Sequence, residues 1–72
     1  MKPRQTKARD FKRLLRRMGF YEHSQAGSHK KFRHPDGRMV VVPDHPGDLA
    51  VGTLRSMIDS IGMTVEEFNE SI

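Results

Sequence analysis

Cysteine is absent from the chain, so neither a disulfide nor a thiolate metal site can reinforce it. Any zinc centre would need histidines and carboxylates alone. The four histidines, His23, His29, His34 and His45, do not fall at recognisable metal-ligand spacings. No apolar run approaches the ~20 residues that cross a bilayer, and the N-terminus lacks the apolar segment of a secretory signal. Repeats, linkers and low-complexity tracts are missing too. These absences argue against a disulfide scaffold, a membrane span and a metal centre. The expectation is a cytoplasmic protein of one small domain, residues 1–72, with residues 1–5 as a frayed basic leader. A chain this short has little stability to spare.

Charge is what the chain does have, unevenly placed. The formal net charge is +4, but residues 1–43 carry twelve Lys and Arg against Asp10, Glu22 and Asp36. Residues 44–72 carry Arg55 alone against six carboxylates. A basic half of this kind is the electrostatic footprint of a polyanion partner, most simply a nucleic acid. Charge alone leaves a solvated basic face as the other reading.

Ala8, Phe11, Leu14, Leu15 and Met18 recur at helical spacing, with Thr6 as the candidate cap and Gly19 as the stop. Arg9, Lys12, Arg13, Arg16 and Arg17 fall on the opposite side of that helix, more cations than its dipole needs. Their surplus points to RNA or to an acidic partner protein. Phe20 to Gln25 then read as a strand, Ala26-Gly27 as a tight turn and Ser28 to His34 as a second strand. His34-Pro35-Asp36-Gly37 is a turn signal with Gly at the left-handed site. A three-residue loop there pairs Phe32 with Val40 and Lys30 with Val42, whereas a two-residue loop would pair Phe32 with Val41. Pro43 closes the third strand. Leu54, Met57, Ile58 and Ile61 form a second apolar stripe, ended by Gly62. Thr64-Val65-Glu66-Glu67 matches a capping box that opens a short last helix. The resulting order is helix, three-stranded antiparallel meander, helix and tail helix. This is a two-layer α+β fold with the helices on one face of the sheet.

The second strand gathers the chemistry. Side chains alternate between faces, so a core Phe32 sets His29, Lys31 and Arg33 together on the open face. Lys30 projects towards the other. An imidazole titrates near neutrality, and fixed cations beside it suit work on a phosphodiester. A strand histidine taken alone is more often a surface or hydrogen-bonding residue. His34 reads as a turn or packing residue and His45 as a loop hydrogen-bonder.

The run Gly27-Ser28-His29-Lys30-Lys31-Phe32, then His34-Pro35-Asp36-Gly37, Val42-Pro43, His45 and Gly52-Thr53-Leu54-Arg55-Ser56-Met57, resembles the HicA toxins of bacterial HicAB toxin–antitoxin systems. The likeness extends over nearly the full length. It implies a double-stranded-RNA-binding-domain-like fold (α-β-β-β-α) and an mRNA interferase acting without metal or cofactor. A HicB antitoxin would cover the active site in a heteromeric complex. The family's catalytic histidine, carried onto the matching position, is His29. Ser28, Lys30, Lys31, Arg33, Lys12, Arg13 and Arg16 are then the candidate RNA contacts. The arginine-rich lead-in, Phe20 after the glycine and the acidic loop Asp44 to Asp48 depart from the family's usual pattern.

RNA carries its own nucleophile, the 2′-hydroxyl. An endoribonuclease therefore needs only to align it, take its proton and stabilise the crowded phosphate. His29 is the candidate general base. Tyr21, His23, Lys31 and a water are open choices for protonating the leaving oxygen. The alternative is a non-catalytic module of the same fold that holds RNA by shape and phosphate contacts.

Overall fold

Burial of two helical stripes against one sheet face decides the layers. The computed structural model describes all 72 residues, as α1 (Ala8–Arg17), β1 (Tyr21–Ala26), β2 (His29–Arg33), β3 (Met39–Pro43), α2 (Val51–Ser60) and α3 (Val65–Ser71). The sheet is antiparallel in the order β1-β2-β3. This is the α+β arrangement expected, with the helices confined to one face. Phe11, Leu14 and Leu15 of α1 and Leu54, Met57 and Ile58 of α2 bury against Phe32, Val40 and Val42 of the sheet.

The register between β2 and β3 is the one a three-residue loop requires. Phe32 faces Val40 and Lys30 faces Val42, and the His34 amide donates to the Arg38 carbonyl across the loop mouth at 2.9 Å. Gly37 takes φ +100° there. Phe32 and Val42 are fully buried while Met39 and Val41 are exposed, so the sheet keeps one apolar face inward and one face open. The first hairpin turns one residue later than expected. Ala26 pairs with His29, leaving Gly27-Ser28 as a two-residue loop with Gly27 at φ +59°. Only glycine takes that left-handed position without strain, so the turn centres on it and Ser28 lies in the loop rather than the strand. In β1 the pairing skips from Glu22–Phe32 to Ser24–Lys31, making His23 the extra residue of a bulge.

Two local expectations are corrected. Thr6 does not cap α1; the N-cap is Lys7, with no side-chain cap hydrogen bond. The Thr6 hydroxyl is buried and donates backwards to the Arg4 carbonyl at 2.8 Å, while its own carbonyl accepts from the Leu49 amide at 2.8 Å. The residue is spent on tying the segments before α1 and α2 together. Nor is the leader free: Asn69 donates to the Lys2 carbonyl (3.1 Å) and accepts from the Arg4 amide (2.9 Å), while Arg55 donates to the Met1 carbonyl (2.9 Å). Arg55 lies on α2 and Asn69 on α3, whose Thr64–Glu67 capping box forms as the sequence requires. Phe68 of α3 stacks on Phe11 at 5.7 Å between centroids.

Candidate active site

The open face of the sheet is a grid of nine residues, fixed by strand pairing. Ala26, His29 and Pro43 make one row, Ser24, Lys31 and Val41 the next, and Tyr21, Arg33 and Met39 the last. His29, Lys31 and Arg33 run down the middle column, about 7 Å apart at two residues per step. His29 is exposed and its ring makes no hydrogen bond within the chain. Its row neighbours, Ala26 and Pro43, are too short to cover the ring. Lys31 and Arg33 have no carboxylate within ion-pair range. The imidazole is open to solvent, and the two cations in its column have no carboxylate partner.

The expected RNA contacts do not form one patch. Lys30 points to the helix side, opposite Val42, and pairs with Asp44 at 3.2 Å and Glu22 at 3.7 Å. Lys12 reaches the other oxygen of Asp44 at 2.8 Å. Arg16 lies over the Phe32 ring at 5.9 Å, and Arg13 shares Asp10 with Arg9 at 3.8 Å and 3.9 Å on α1. Ser28 sits at the hairpin tip, its carbonyl accepting from the Asp44 amide at 2.6 Å. Three groups result. His29, Lys31 and Arg33 share the open face; Lys12, Arg16 and Lys30 line the seam between α1 and β2; Arg13 lies outward on α1.

Asp44 is the residue that the sequence reading missed, counting it only as part of an acidic loop. Two signals were available. Of the cations opposite the apolar stripe of α1, Lys12 is the nearest to it, and Lys30 shares a face with Phe32, so both need a counter-charge. Asp44 follows Val42, the partner of Lys30, by two positions.

Of the possible proton donors, Lys31 stands one step from His29. Tyr21 is opposite Arg33, about 13 Å further along the strand by its rise. His34 and His45 are engaged elsewhere. His34 Nε2 contacts the Met18 carbonyl at 2.9 Å and its Nδ1 accepts from the Asp36 amide at 3.1 Å. The same ring packs edge-on against Phe20 at 5.0 Å, and a Cβ on Gly19 would stand 3.2 Å from it. His45 Nδ1 donates to the Pro46 carbonyl at 3.0 Å. No three His, Asp or Glu side chains converge as a metal site would need, and no helix is long and apolar enough to cross a membrane.

Two carboxyls are held below the ordinary value of 3.8. For Asp44 the main cause is the Lys12 hydrogen bond, followed by that from Lys30. For Asp36 it is the backbone hydrogen bond from Arg38. A carboxyl more acidic in the folded chain stabilises the fold fully above its unfolded-state pKa and ceases to as pH falls through the folded value. Thermal melts between pH 6 and pH 2 are therefore expected to hold steady to about pH 4 and then fall. The fall should be shallower in Asp44→Asn, and a melting temperature flat down to pH 2.5 would contradict these ion pairs.

A family model described as the HicA toxin of bacterial toxin–antitoxin systems matches residues 8–63. The matched span runs from the start of α1 to just beyond α2 and includes the whole sheet. No curated protein matches the chain.

Proposed function

The chain belongs to the HicA toxins, one half of a bacterial toxin–antitoxin pair, and from that premise we propose that it is a metal-independent endoribonuclease acting on mRNA. His29 removes the proton from a ribose 2′-hydroxyl, and the oxygen attacks the adjacent phosphorus. The bond from phosphorus to the 5′-oxygen breaks, giving a 2′,3′-cyclic phosphate and a 5′-hydroxyl. The leaving oxygen takes its proton from Lys31 or from water. Lys31 holds the non-bridging oxygens and offsets the charge that builds on them, and Arg33, a further step along the strand, holds a neighbouring phosphate. The observation that carries this reading is the unengaged His29 imidazole in one column with two unpaired cations.

The partner in this reading is a HicB antitoxin that covers the open face. Tyr21, Met39 and Val41 are exposed apolar residues of that face, flanking the basic column. They suit a protein partner better than a bare polyanion.

Purified protein is expected to cut single-stranded RNA in EDTA and to leave cyclic phosphate ends, identified by mass spectrometry. A substrate with deoxyribose at the cleaved nucleotide should stay intact. Cleavage that disappears in EDTA and returns with magnesium would overturn the mechanism, as would cutting at a deoxyribose.

A further inference from the structure

The proposed chemistry leaves one charged cluster unused. Lys12, from α1, and Lys30, from β2, each place an ammonium on a different oxygen of Asp44, at 2.8 Å and 3.2 Å. The side chains are mostly covered, at 13% exposure for Lys12, 21% for Lys30 and 28% for Asp44. Glu22, at 3.7 Å from Lys30, is the remaining charge. With two ammoniums and two carboxylates, the cluster has no net charge to offer a polyanion. Yet the two lysines grip Asp44 as a pair of cations grips two oxygens of a phosphodiester. The cluster also adjoins the hairpin that carries His29, because the Asp44 amide donates to the Ser28 carbonyl. Asp44 opens the loop to Asp48, which contains Gly47 at φ +92°, rather than lying in a strand.

We propose that the Lys12–Lys30 pair is a backbone-phosphate site for RNA that Asp44 occupies in the free protein, so that Asp44 acts as a built-in competitor of the substrate. The inference rests on RNA being the ligand, as proposed above, and does not depend on cleavage. Asp44 is a positioning residue here: it acts through the two lysines and touches no reacting atom.

Removing its charge opens the pair. Each additional phosphate contact on a single strand adds about 0.7 to the slope of log affinity against log salt, and at 0.1 M salt multiplies affinity about fivefold. The test measures binding of the full chain to a 2′-O-methyl oligoribonucleotide, which has no free 2′-hydroxyl and is not cut, from 0.05 to 0.4 M salt. Asp44→Asn keeps the shape of the side chain and is expected to bind about fivefold or more tightly at 0.1 M, with a slope steeper by about 0.7 to 1.4. Lys12→Met should change the affinity of the otherwise native chain less than twofold, but should cancel most of the gain in the Asp44→Asn background. That coupling is the signature of a masked site.

A merely structural Asp44 moves the melting temperature and leaves the salt slope alone. The proposal is overturned if Asp44→Asn binds no more tightly and with an unchanged slope. It is equally overturned if Lys12→Met weakens both backgrounds by the same factor, since Lys12 would then already be open to RNA. Should Asp44→Asn fail to fold, the Lys12→Met arm decides alone: a loss of about fivefold there rejects the masked site. Absence of cleavage by the native chain would remove the nuclease reading and leave these binding outcomes unaffected.

Discussion

His29→Ala is expected to lower RNA cleavage by about a hundred- to ten-thousandfold, the usual contribution of a positioned general base. It should do so without loosening the fold. The ring is exposed and makes no hydrogen bond within the chain, so its removal leaves no cavity and no unpaired buried group. Its effect on stability should stay within about 0.5 kcal/mol, as for other surface changes. Binding of an uncleavable RNA should change no more than a few-fold, because Lys31 and Arg33 keep their places on the face. Added imidazole should restore part of the lost rate, since the cleared position opens on solvent between Ala26 and Pro43. The combination is diagnostic: rate lost, fold and binding retained, small-molecule base effective. Cleavage at the native rate by purified His29→Ala would remove His29 from the mechanism and leave the open face as an RNA-binding surface.

The layers and the faces of the β2 and β3 residues were legible in the sequence because they follow from periodicity, whereas the bulge at His23 in β1 was not. The helical spacing of Phe11, Leu14 and Leu15 and the alternation around Phe32 each allow one solution once a core must form. The Pro35-Asp36-Gly37 turn left two registers against β3 open, and the folded chain takes the three-residue loop, with Phe32 opposite Val40. The assignment of His29 to the open face with Lys31 and Arg33 needed nothing more. What was not legible depends on groups meeting across the fold. Thr6 has a good cap's chemistry, but burial between the segments before α1 and α2 turns its hydroxyl onto the Arg4 carbonyl. The leader looks free to fray until Asn69, more than sixty positions away, takes both its backbone partners. Lys12 and Lys30 look like RNA contacts by charge; alternation already turns Lys30 from the open face, but that both are paired shows only in their common approach to Asp44. Local pattern fixes which face a cation occupies; tertiary contact fixes whether it is free.

Phe32→Ala is the change expected to cost the fold most, and it attacks the same strand from the other side. Phe32 is fully buried between the sheet and the helices, beneath the Arg16 guanidinium at 5.9 Å. Truncating a buried phenylalanine costs about 3–5 kcal/mol. A domain of this length holds about 4–11 kcal/mol in all at 0.05–0.15 kcal/mol per residue. In a domain of this size each kcal/mol shifts the melting temperature by about 4–8 °C, so the variant should melt at least ~12 °C lower. Its urea midpoint should fall in proportion. Phe32→Leu, which keeps most of the volume, should retain most of that stability. Activity should follow folded fraction in both, returning in Phe32→Ala on cooling or with a stabilising osmolyte, neither of which should restore His29→Ala. A drop of less than ~4 °C in Phe32→Ala would mean that this ring does not anchor β2. The outward set of His29, Lys31 and Arg33 would then need another cause, because the burial of Phe32 is what turns that column to the open face.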